Sequence, residues 1–350
     1  MVPEESAKVK QTVLVTGTNG YLGTQVSLAF LEAGYTVRGT ARSLEKAKNW
    51  IAKFPMHEKN FEIAVVPDLT GEHAYDQAIV GVDVVVHTAS PVNVASIKDN
   101  EQDMLLPAIW GTRNLLVATK LEPSIQRVVY TSSFAAVCNP PLLPHAGHMY
   151  TDDSWNPATY DEAKASDNPF FVYCASKTLA EQEVWKYIKE NKPSWHATTI
   201  CPPLILGPPL QPMSSMGSLN ASLVSIWTLI NGDSNHGIPE THVPALTDVR
   251  DIAKAHVLSA QKEEAKNERF LVIAHHFKNE EVIDMAAEAH SEVRDRLPDV
   301  SSFKYDASDH FRSDSTKVQK KLGFSFMPKD KSIRETIDSL LELDKKLEGY

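Results

Sequence analysis

The residues of this sequence best suited to proton transfer are Tyr173 and Lys177. They stand four residues apart in the segment Phe170–Lys192, whose apolar spacing predicts a helix, so they lie on one helix face, one turn from each other. A free tyrosine has a pKa of about 10, and a nearby ammonium group favours the phenolate and lowers that pKa. We therefore predict that Tyr173 exchanges a proton and that Lys177 adjusts its pKa. A pair with this spacing is also common on helices in a structural role, so its meaning depends on its surroundings.

A serine at the end of a neighbouring predicted strand completes this group. The apolar segment Arg127–Tyr130 predicts a buried strand, and it ends in Thr131–Ser133. The Ser133 hydroxyl can donate a hydrogen bond to a carbonyl oxygen as that oxygen gains negative charge. Ser133, Tyr173 and Lys177 together indicate carbonyl reduction, in which a cofactor supplies hydride and Tyr173 protonates the oxygen.

The glycine-rich stretch Thr12–Gly23 predicts where the cofactor binds. An apolar strand, Val13–Val15, leads into glycines spaced G-x-x-G-x-x-G, and a periodic apolar segment then predicts a helix that ends near Gly34. Such a turn brings backbone N–H groups and the positive end of a helix to a phosphate, where a side chain would block the approach. The alternative is an ordinary tight turn, which explains the three glycines poorly. The residues expected to contact the cofactor here are Thr16, Gly17, Asn19, Gly20, Tyr21, Leu22 and Gly23.

The end of the second predicted strand, Tyr35–Thr40, favours NADP over NAD. In NAD-binding proteins a carboxylate usually follows the glycines by about 20 residues and binds the ribose hydroxyl. Here the strand ends without a carboxylate, and Arg42 and Lys46 follow it. A guanidinium can grip a 2′-phosphate with two hydrogen bonds, which a carboxylate would repel. In the alternative interpretation, Arg42 and Lys46 are solvated charges at the start of a helix.

The alternation of strands and helices from Thr12 onward predicts the fold class. It is α/β, with a Rossmann doubly wound parallel sheet that binds ligands at the carboxyl ends of its strands and a smaller C-terminal lobe. The predicted strand Val82–His87 ends at this same edge. It is followed by small residues that let a cofactor approach the backbone, namely Thr88, Ala89 and Ser90.

The order of these motifs resembles that of one protein family. Thr16–Gly23, Thr131–Ser133 and Tyr173–Lys177 are similar to the cofactor loop and the Ser-Tyr-Lys triad of the extended short-chain dehydrogenase/reductases. With Val37–Ser43 and Asp248–His256, the chain resembles the dihydroflavonol-reductase-like branch. Within that branch it is most similar to fungal NADPH-dependent aldehyde and ketone reductases, including methylglyoxal-reductase-like enzymes. The resemblance implies NADP(H) as cofactor and Ser133, Tyr173 and Lys177 as catalytic residues.

This resemblance also implies further cofactor contacts. Cys201–Pro208 is similar to a family segment whose backbone meets the nicotinamide, and Asp68 stands at a position that meets the adenine. The likeness covers about residues 10–275 well and the remainder loosely. The cofactor contacts expected on these grounds are Asp68, Leu69, Thr131, Ser132, Pro202, Leu204 and Ile205, with Tyr173 and Lys177 serving the cofactor as well.

The chain is expected to divide into two parts. Residues 8–208, completed by about 244–276, are predicted to form the NADP-binding Rossmann domain, and residues 209–243 and 277–350 the substrate-binding lobe. The stretch after Pro208 is rich in Met, Ser and Leu and is expected to form a mobile wall of the substrate site. Side chains predicted to line that site, or else to belong to ordinary core, are Phe134, Met213, Met216, Trp227 and Tyr305.

Composition limits the other classes of function. A net charge of −10 over 350 residues argues against a nucleic-acid or anionic-membrane surface, and no apolar run approaches the roughly 20 residues of a membrane span. The polar segment Met1–Lys10 and three isolated cysteines favour a cytoplasmic protein. The loop Asn139–Asn168 holds two histidines that could imitate a metal cluster, but we expect no metal. The expected partner is a small carbonyl substrate, and the chain is expected to be a monomer or a homodimer.

Two other functions use the same architecture. A nucleotide-sugar epimerase or dehydratase normally keeps NAD bound and needs polar groups for the sugar diphosphate, whereas Arg42 and the apolar stretch Pro209–Trp227 point away from that use. A noncatalytic NADP-sensing regulator needs no complete triad, but this chain retains Ser133, Tyr173 and Lys177. Carbonyl reduction is therefore the leading interpretation.

One departure from the family pattern leads to a first prediction. Many members carry an asparagine for proton relay three residues before a Gly-Thr pair, where this chain has Ala108 before Gly111–Thr112. Asn114, one helical turn away, is not expected to replace it, because proton resupply to Tyr173 can run through Lys177, the ribose and water. We expect Asn114→Ala to leave kcat nearly unchanged in steady-state assays. A collapse of kcat with preserved thermal stability would contradict this.

Overall fold

The strands and helices are assigned in a computed structural model that describes residues 10–90, 97–232 and 237–348. The predicted domain ends at residues 8–9 and 349–350, and nearly all of the segment Met1–Lys10, lie outside the described residues. The strands are β1 (Thr12–Thr16), β2 (Thr36–Ala41), β3 (Phe61–Val65), β4 (Val84–His87), β5 (Arg127–Thr131), β6 (Met149–Tyr150), β7 (His196–Cys201), β8 (Leu204–Leu206), β9 (Ala245–Asp248), β10 (Glu268–Leu271), β11 (His275–His276) and β12 (Arg312–Ser313).

Helices alternate with the strands of the N-terminal part and dominate the C-terminal part. They are α1 (Tyr21–Glu32), α2 (Leu44–Lys53), α3 (Leu106–Ala118), α4 (Tyr160–Ala165), α5 (Pro169–Asn191), α6 (Ala221–Ile230), α7 (Val249–Gln261), α8 (Asn279–Ala289), α9 (Ser291–Arg294), α10 (Thr316–Leu322) and α11 (Lys329–Glu348). Among the described residues, no helix has both the length and the apolar character needed to cross a membrane.

Seven strands form one parallel sheet in the order β10-β7-β5-β4-β1-β2-β3. The predicted doubly wound parallel sheet is therefore confirmed. The chain moves outward from β1 in one direction through β2 and β3 and then returns to β4 on the other side. This reversal leaves a crevice at the carboxyl ends of β1 and β4, which is where ligands bind in such folds.

Both faces of the sheet are covered, and this explains why its central strands are apolar throughout. Side chains alternate between the two faces of a strand, so Val13 and Val15 of β1 join one core and Leu14 joins the other. The first core includes Phe30 of α1 and residues of α7 and α10, and the second includes Val184 of α5 and residues of α3. Helix α5 is thereby held against β5 and β7.

A third core joins the predicted lobe to the edge of the sheet domain. It contains residues of α6, α8 and α11, together with Tyr21 and Leu206 from the predicted Rossmann domain. In contrast, Val318, Leu322 and Phe324, which the predicted division assigns to the lobe, belong to the first core beside α7 and β10. Residues from both sides of the predicted boundaries therefore share cores, and the division into two parts stays a prediction.

Two predicted loops contain helices. Asn139–Asn168 includes α4, whose start is a capping box in which the Thr159 hydroxyl accepts from Glu162 N and the Glu162 carboxylate accepts from Thr159 N. The stretch after Pro208 contains α6, whose apolar residues Leu223 and Ile226 are buried in the third core. The expected mobile wall is thus partly a packed helix.

Candidate active site

The turn after β1 is built around glycines that could not carry side chains. Gly17 has φ +69°, a left-handed conformation that glycine adopts without strain. A Cβ on Gly23 would lie 2.1 Å from the Gly17 carbonyl oxygen, so α1 packs directly on the turn. Gly20 precedes α1, and among the described residues no side chain caps this helix. Its first N–H groups therefore remain available for an anion.

The hydroxyl of Thr16 fastens the end of β1 to the loop after β4. Its Oγ1 accepts hydrogen bonds from Thr88 N (3.1 Å) and Ala89 N (3.0 Å) and lies 2.8 Å from Nδ1 of His87. Because Oγ1 already accepts two bonds, its own proton goes to His87, whose pKa burial lowers to about 3. The Thr88 hydroxyl in turn donates to the Thr16 carbonyl (2.5 Å). Thr16 thus joins the two strand ends that border the crevice. Asn19 of the adjoining turn and Leu22 in the first turn of α1 are half-buried.

The ends of β2 and β3 place opposite charges beside the crevice. Arg42 and Lys46 are both exposed, and Ser43 between them caps α2 by accepting from Lys46 N. After β3, Asp68 Oδ1 accepts from the hydroxyl (2.7 Å) and the N–H (2.8 Å) of Thr70. These bonds, and to a smaller extent Arg42, lower the pKa of Asp68. The three predicted cofactor residues Arg42, Lys46 and Asp68 therefore lie on the solvent side of this edge.

Asn114 holds the loop that follows Asp68. Its Nδ2 lies within hydrogen-bonding distance of the carbonyl oxygens of Leu69 (3.3 Å), Thr70 (2.8 Å) and Gly71 (3.0 Å). The Leu69 side chain packs against Gly111 of α3, where a Cβ would lie 2.1 Å from Leu69 Cδ1. Asn114 is thus occupied by loop backbone, consistent with its expected absence from a proton relay.

Ser133 is held in an extended conformation between two backbone contacts. On one side Ser132 N donates to the Ile200 carbonyl (2.8 Å), and on the other Phe134 N donates to the Pro202 carbonyl (2.7 Å). The Ser133 hydroxyl caps the short helical turn that follows by accepting from Ala135 N (3.1 Å). The side chain therefore stands at the carboxyl end of β5, facing α5.

Tyr173 and Lys177 lie on α5 opposite Ser133, and burial shifts their pKa values in opposite directions. Burial raises the pKa of Tyr173 to about 12, while the nearby Ser133 hydroxyl acts in the lowering direction. Burial lowers the pKa of Lys177 to about 8. Lys177 Nζ donates to Ser90 Oγ (2.9 Å) and lies 5.9 Å from the centre of the Tyr173 ring. In the protein alone, burial of the phenol is the dominant influence on the pKa of Tyr173, and the expectation that Lys177 lowers this pKa stays a prediction.

Three predicted cofactor residues use their side chains to hold the scaffold. Tyr21 donates its hydroxyl proton to the Gly207 carbonyl (2.8 Å), and the Thr131 hydroxyl lies 2.7 Å from Nε2 of the buried His256. The Ser132 hydroxyl donates to Glu181 (2.6 Å). At these positions only the backbone remains near the crevice. Leu204 and Ile205 form part of β8, which pairs with β9, and lie near the Pro202 contact described above.

The predicted substrate residues fall into three groups. Phe134 is buried, with its ring 4.9 Å from that of Phe311, and so contributes to core as placed. Tyr305 is exposed and its hydroxyl lies 2.7 Å from Nε2 of His310. Partly buried residues beside the third core are Met213, Met216 and Trp227.

The sequence interpretation missed Glu181 and Arg269, which form a buried ion pair beneath the triad. It missed them because no pattern in a single sequence pairs two charges that stand 88 positions apart.

Comparison with known proteins defines the class to which this fold and site belong. The model of the NAD dependent epimerase/dehydratase family matches residues 13–274, and the chain belongs to this family. The resemblance to short-chain reductases of the dihydroflavonol-reductase-like branch is also confirmed, by the relatives and structures that follow.

Several fungal relatives align over nearly the whole chain. A putative uncharacterized oxidoreductase, C513.07 of Schizosaccharomyces pombe, is 38% identical over 94% of this chain and 97% of its own length. The NADPH-dependent methylglyoxal reductase GRE2 of Saccharomyces cerevisiae is 33% identical over 97% of this chain and 99% of its own. The ketoreductase azaE of Aspergillus niger is 33% identical over 94% and 97%.

Solved structures agree with this assignment. Yeast methylglyoxal/isovaleraldehyde reductase Gre2, complexed with NADPH, superposes with a TM-score of 0.87 at 32% identity, covering 97% of this chain and 99% of that one. Vestitone reductase from alfalfa has a TM-score of 0.74 at 22% identity over 97% and 100%, which shows a shared fold.

The contacts of Thr16 lead to a prediction about stability. Thr16→Val keeps the size of the side chain but leaves Thr88 N and Ala89 N without their acceptor. We expect a loss of about 2 kcal/mol in the free energy of unfolding, measured by urea denaturation. Thr16→Ser retains the hydroxyl and is the matched control, expected to lose much less. Equal losses in both variants would show that the hydroxyl is not the stabilising group.

Proposed function

We propose that this protein is an NADPH-dependent carbonyl reductase that converts aldehydes or ketones to alcohols. The observation that carries the proposal is the convergence of Ser133, Tyr173 and Lys177 on the edge of the sheet that also bears the glycine turn. The names of the relatives, methylglyoxal reductase and ketoreductase among them, support the same chemistry.

The residues at the sheet edge fit NADPH. The tight turn at Gly17 and the uncapped start of α1 suit a pyrophosphate, because they offer N–H groups and no side chain in the way. Arg42 and Lys46, exposed just beyond β2, suit a 2′-phosphate. Lys177 lies where it can donate to a ribose hydroxyl as it now donates to Ser90. When bound, NADPH supplies the hydride for the carbonyl carbon.

The side chains of the triad then act on the carbonyl oxygen. Ser133 donates a hydrogen bond that polarises the carbonyl and stabilises the negative charge that develops on its oxygen. Tyr173, whose pKa of about 12 keeps it protonated at neutral pH, transfers its proton to that oxygen. Lys177 is mostly charged below pH 8 and stabilises the resulting phenolate, which lies in a buried environment where an ammonium acts strongly.

The substrate is proposed to lie between the triad and the lobe. Met213, Met216 and Trp227 stand partly buried at the surface of the third core and offer apolar contacts to the carbonyl substrate. We propose the lobe as residues 209–243 and 277–350, with α10 contributing to the sheet domain.

Three free, buried cysteines, at positions 138, 174 and 201, support a reducing compartment such as the cytoplasm. We further propose that the chain is a monomer or a homodimer.

The proposed function predicts cofactor-dependent turnover that requires Tyr173. We expect oxidation of NADPH, well above that of NADH, with at least one member of a panel containing methylglyoxal, an α-keto ester, an aryl aldehyde and an aryl ketone. Because Tyr173→Phe removes the proton donor, it should lower kcat by about 10²-fold or more, measured by absorbance of the reduced cofactor.

Tyr187→Phe is the control for this substitution, because it removes the hydroxyl of a second tyrosine on α5, which is buried and packs against Trp195. It should retain kcat. Tight binding of NADPH without turnover of any carbonyl would contradict the proposal and favour a cofactor-sensing role.

The low pKa of Lys177 predicts a pH dependence. Because this lysine is charged below its pKa of about 8 and neutral above it, kcat/KM for reduction should be constant at lower pH and fall as pH rises through about 8. kcat/KM is measured by varying the concentration of NADPH, so that the pH profile reports ionisations of the free enzyme. In Lys177→Arg the group stays charged, so the inflection should disappear whatever the absolute rate. An unchanged inflection would assign it to another group.

A further inference from the structure

We propose that the buried ion pair Glu181–Arg269 is a positioning device that holds Ser133 in register with Tyr173. This inference rests on the proposed function, because it concerns the alignment of two groups on one carbonyl oxygen. Neither residue belongs to the triad. Their importance lies in what they connect, namely the helix that carries Tyr173 and the strand end that carries Ser133.

Glu181 is the point at which α5 is attached to the sheet. Its side chain is fully buried, four residues after Lys177 on the same helix. Oε1 accepts from Thr199 Oγ1 (2.7 Å) and Arg269 Nε (2.7 Å), and Oε2 accepts from Ser132 Oγ (2.6 Å). These three donors lie on or beside three neighbouring strands, β7, β10 and β5. One carboxylate therefore sets the height of α5 over the sheet at the level of the triad.

Arg269 extends the same network to the segments that surround Ser133. Besides its bonds to Glu181, its guanidinium donates to the carbonyl oxygens of Asp152 (2.7 Å), Ser154 (2.6 Å) and Ala136 (3.2 Å). The guanidinium carbon also lies 3.9 Å from the centre of the Trp155 ring. Arg269 thus joins β10 to the loop after β6 and to the short turn that Ser133 caps.

Ser133 is consequently bracketed by this ion pair. The residue before it, Ser132, bonds to Glu181, and the turn after it ends at Ala136, whose carbonyl bonds to Arg269. A strand end that continues into a turn has little rigidity of its own, whereas a catalytic hydrogen bond must be placed within about 0.5 Å. The ion pair adds to the rigidity that the backbone contacts of Ser132 and Phe134 provide, and its Glu181 stands on the same helix that places Tyr173.

Stability alone is a weak explanation for such a pair. Removing two charges from water costs about as much as their attraction returns, so buried ion pairs contribute little net stability compared with apolar side chains. In contrast, the planar guanidinium and the carboxylate bind several groups in defined directions. This chemistry suits alignment.

The test compares two buried arginines, one that bonds to the segments around Ser133 and one that stands far from it, beside a glutamate that is 70% exposed. Arg269 and Arg127 are both 8% exposed, and each pairs with a glutamate, but Arg127 stands at the opposite end of β5 and bonds to Glu263 (2.6 Å). Each is changed to lysine, which keeps the charge but loses the fork of donors. Thermal stability, kcat and KM for NADPH are then measured in the full-length protein.

We expect Arg269→Lys to lower kcat for carbonyl reduction by about 10- to 100-fold with KM for NADPH changed less than about twofold, because misplacing a catalytic group affects the reaction more than cofactor binding. Arg127→Lys should keep the wild-type kcat. If both variants lose similar thermal stability and both retain kcat, the ion pair is only scaffold and the inference is overturned.

A milder variant covers the case in which Arg269→Lys does not fold. Ser132→Ala removes only the hydroxyl that links the strand end to Glu181, and it should lower kcat by about 10-fold while thermal unfolding remains cooperative. Wild-type kcat in Ser132→Ala would then overturn the inference. Failure of the proposed function is recognised separately, because the wild-type protein itself would bind NADPH without reducing any carbonyl.

Discussion

The structure of this sheet edge depends on two hydrogen bonds that the Thr16 hydroxyl accepts from the loop after β4, one from Thr88 N and one from Ala89 N. They join the ends of β1 and β4 at the place where the strand order reverses and hold Thr88 and Ala89 beside the glycine turn. A Cβ on Gly17 would lie only 3.1 Å from the Ala89 Cα, so the two chain segments already touch. Because no side chain stands between these two backbone segments, a dinucleotide can bind above the carboxyl ends of the strands.

Burial sets the chemistry of the triad more strongly than the proximity of charges does. Tyr173 and Lys177 share a helix face, yet burial stabilises the neutral form of each, raising the pKa of the phenol and lowering that of the ammonium. The protein alone therefore holds a phenol that stays protonated at neutral pH and a lysine whose pKa lies near 8. A similar environment keeps His87 neutral, so that its ring can serve as an acceptor for Thr16.

The sequence interpretation was most successful where local pattern and burial coincide. The run Val13–Val15 is apolar on both faces, the glycines that follow it have a steric requirement, and Tyr173 and Lys177 fall on one helical face without any tertiary information. It was less successful with α4 and α6. The capping box at Thr159 is a local signal that was available, but it was outweighed by the many turn-forming residues around it. Helix α6 gains its stability from burial against α8 and α11, which no local pattern contains.

The sequence by itself determined the class of the fold and predicted an anion-binding turn and three catalytic residues, because each follows from spacings within a dozen residues or from the order of elements along the chain. The tertiary structure alone decided how those residues are supported. The side chains of Tyr21, Thr131 and Ser132, three residues predicted to contact the cofactor, bond to Gly207, His256 and Glu181. Their partners come from distant parts of the chain. A buried polar group bonds to whichever partner the fold brings to it, so the sequence alone does not show whether that partner is a ligand or another part of the protein.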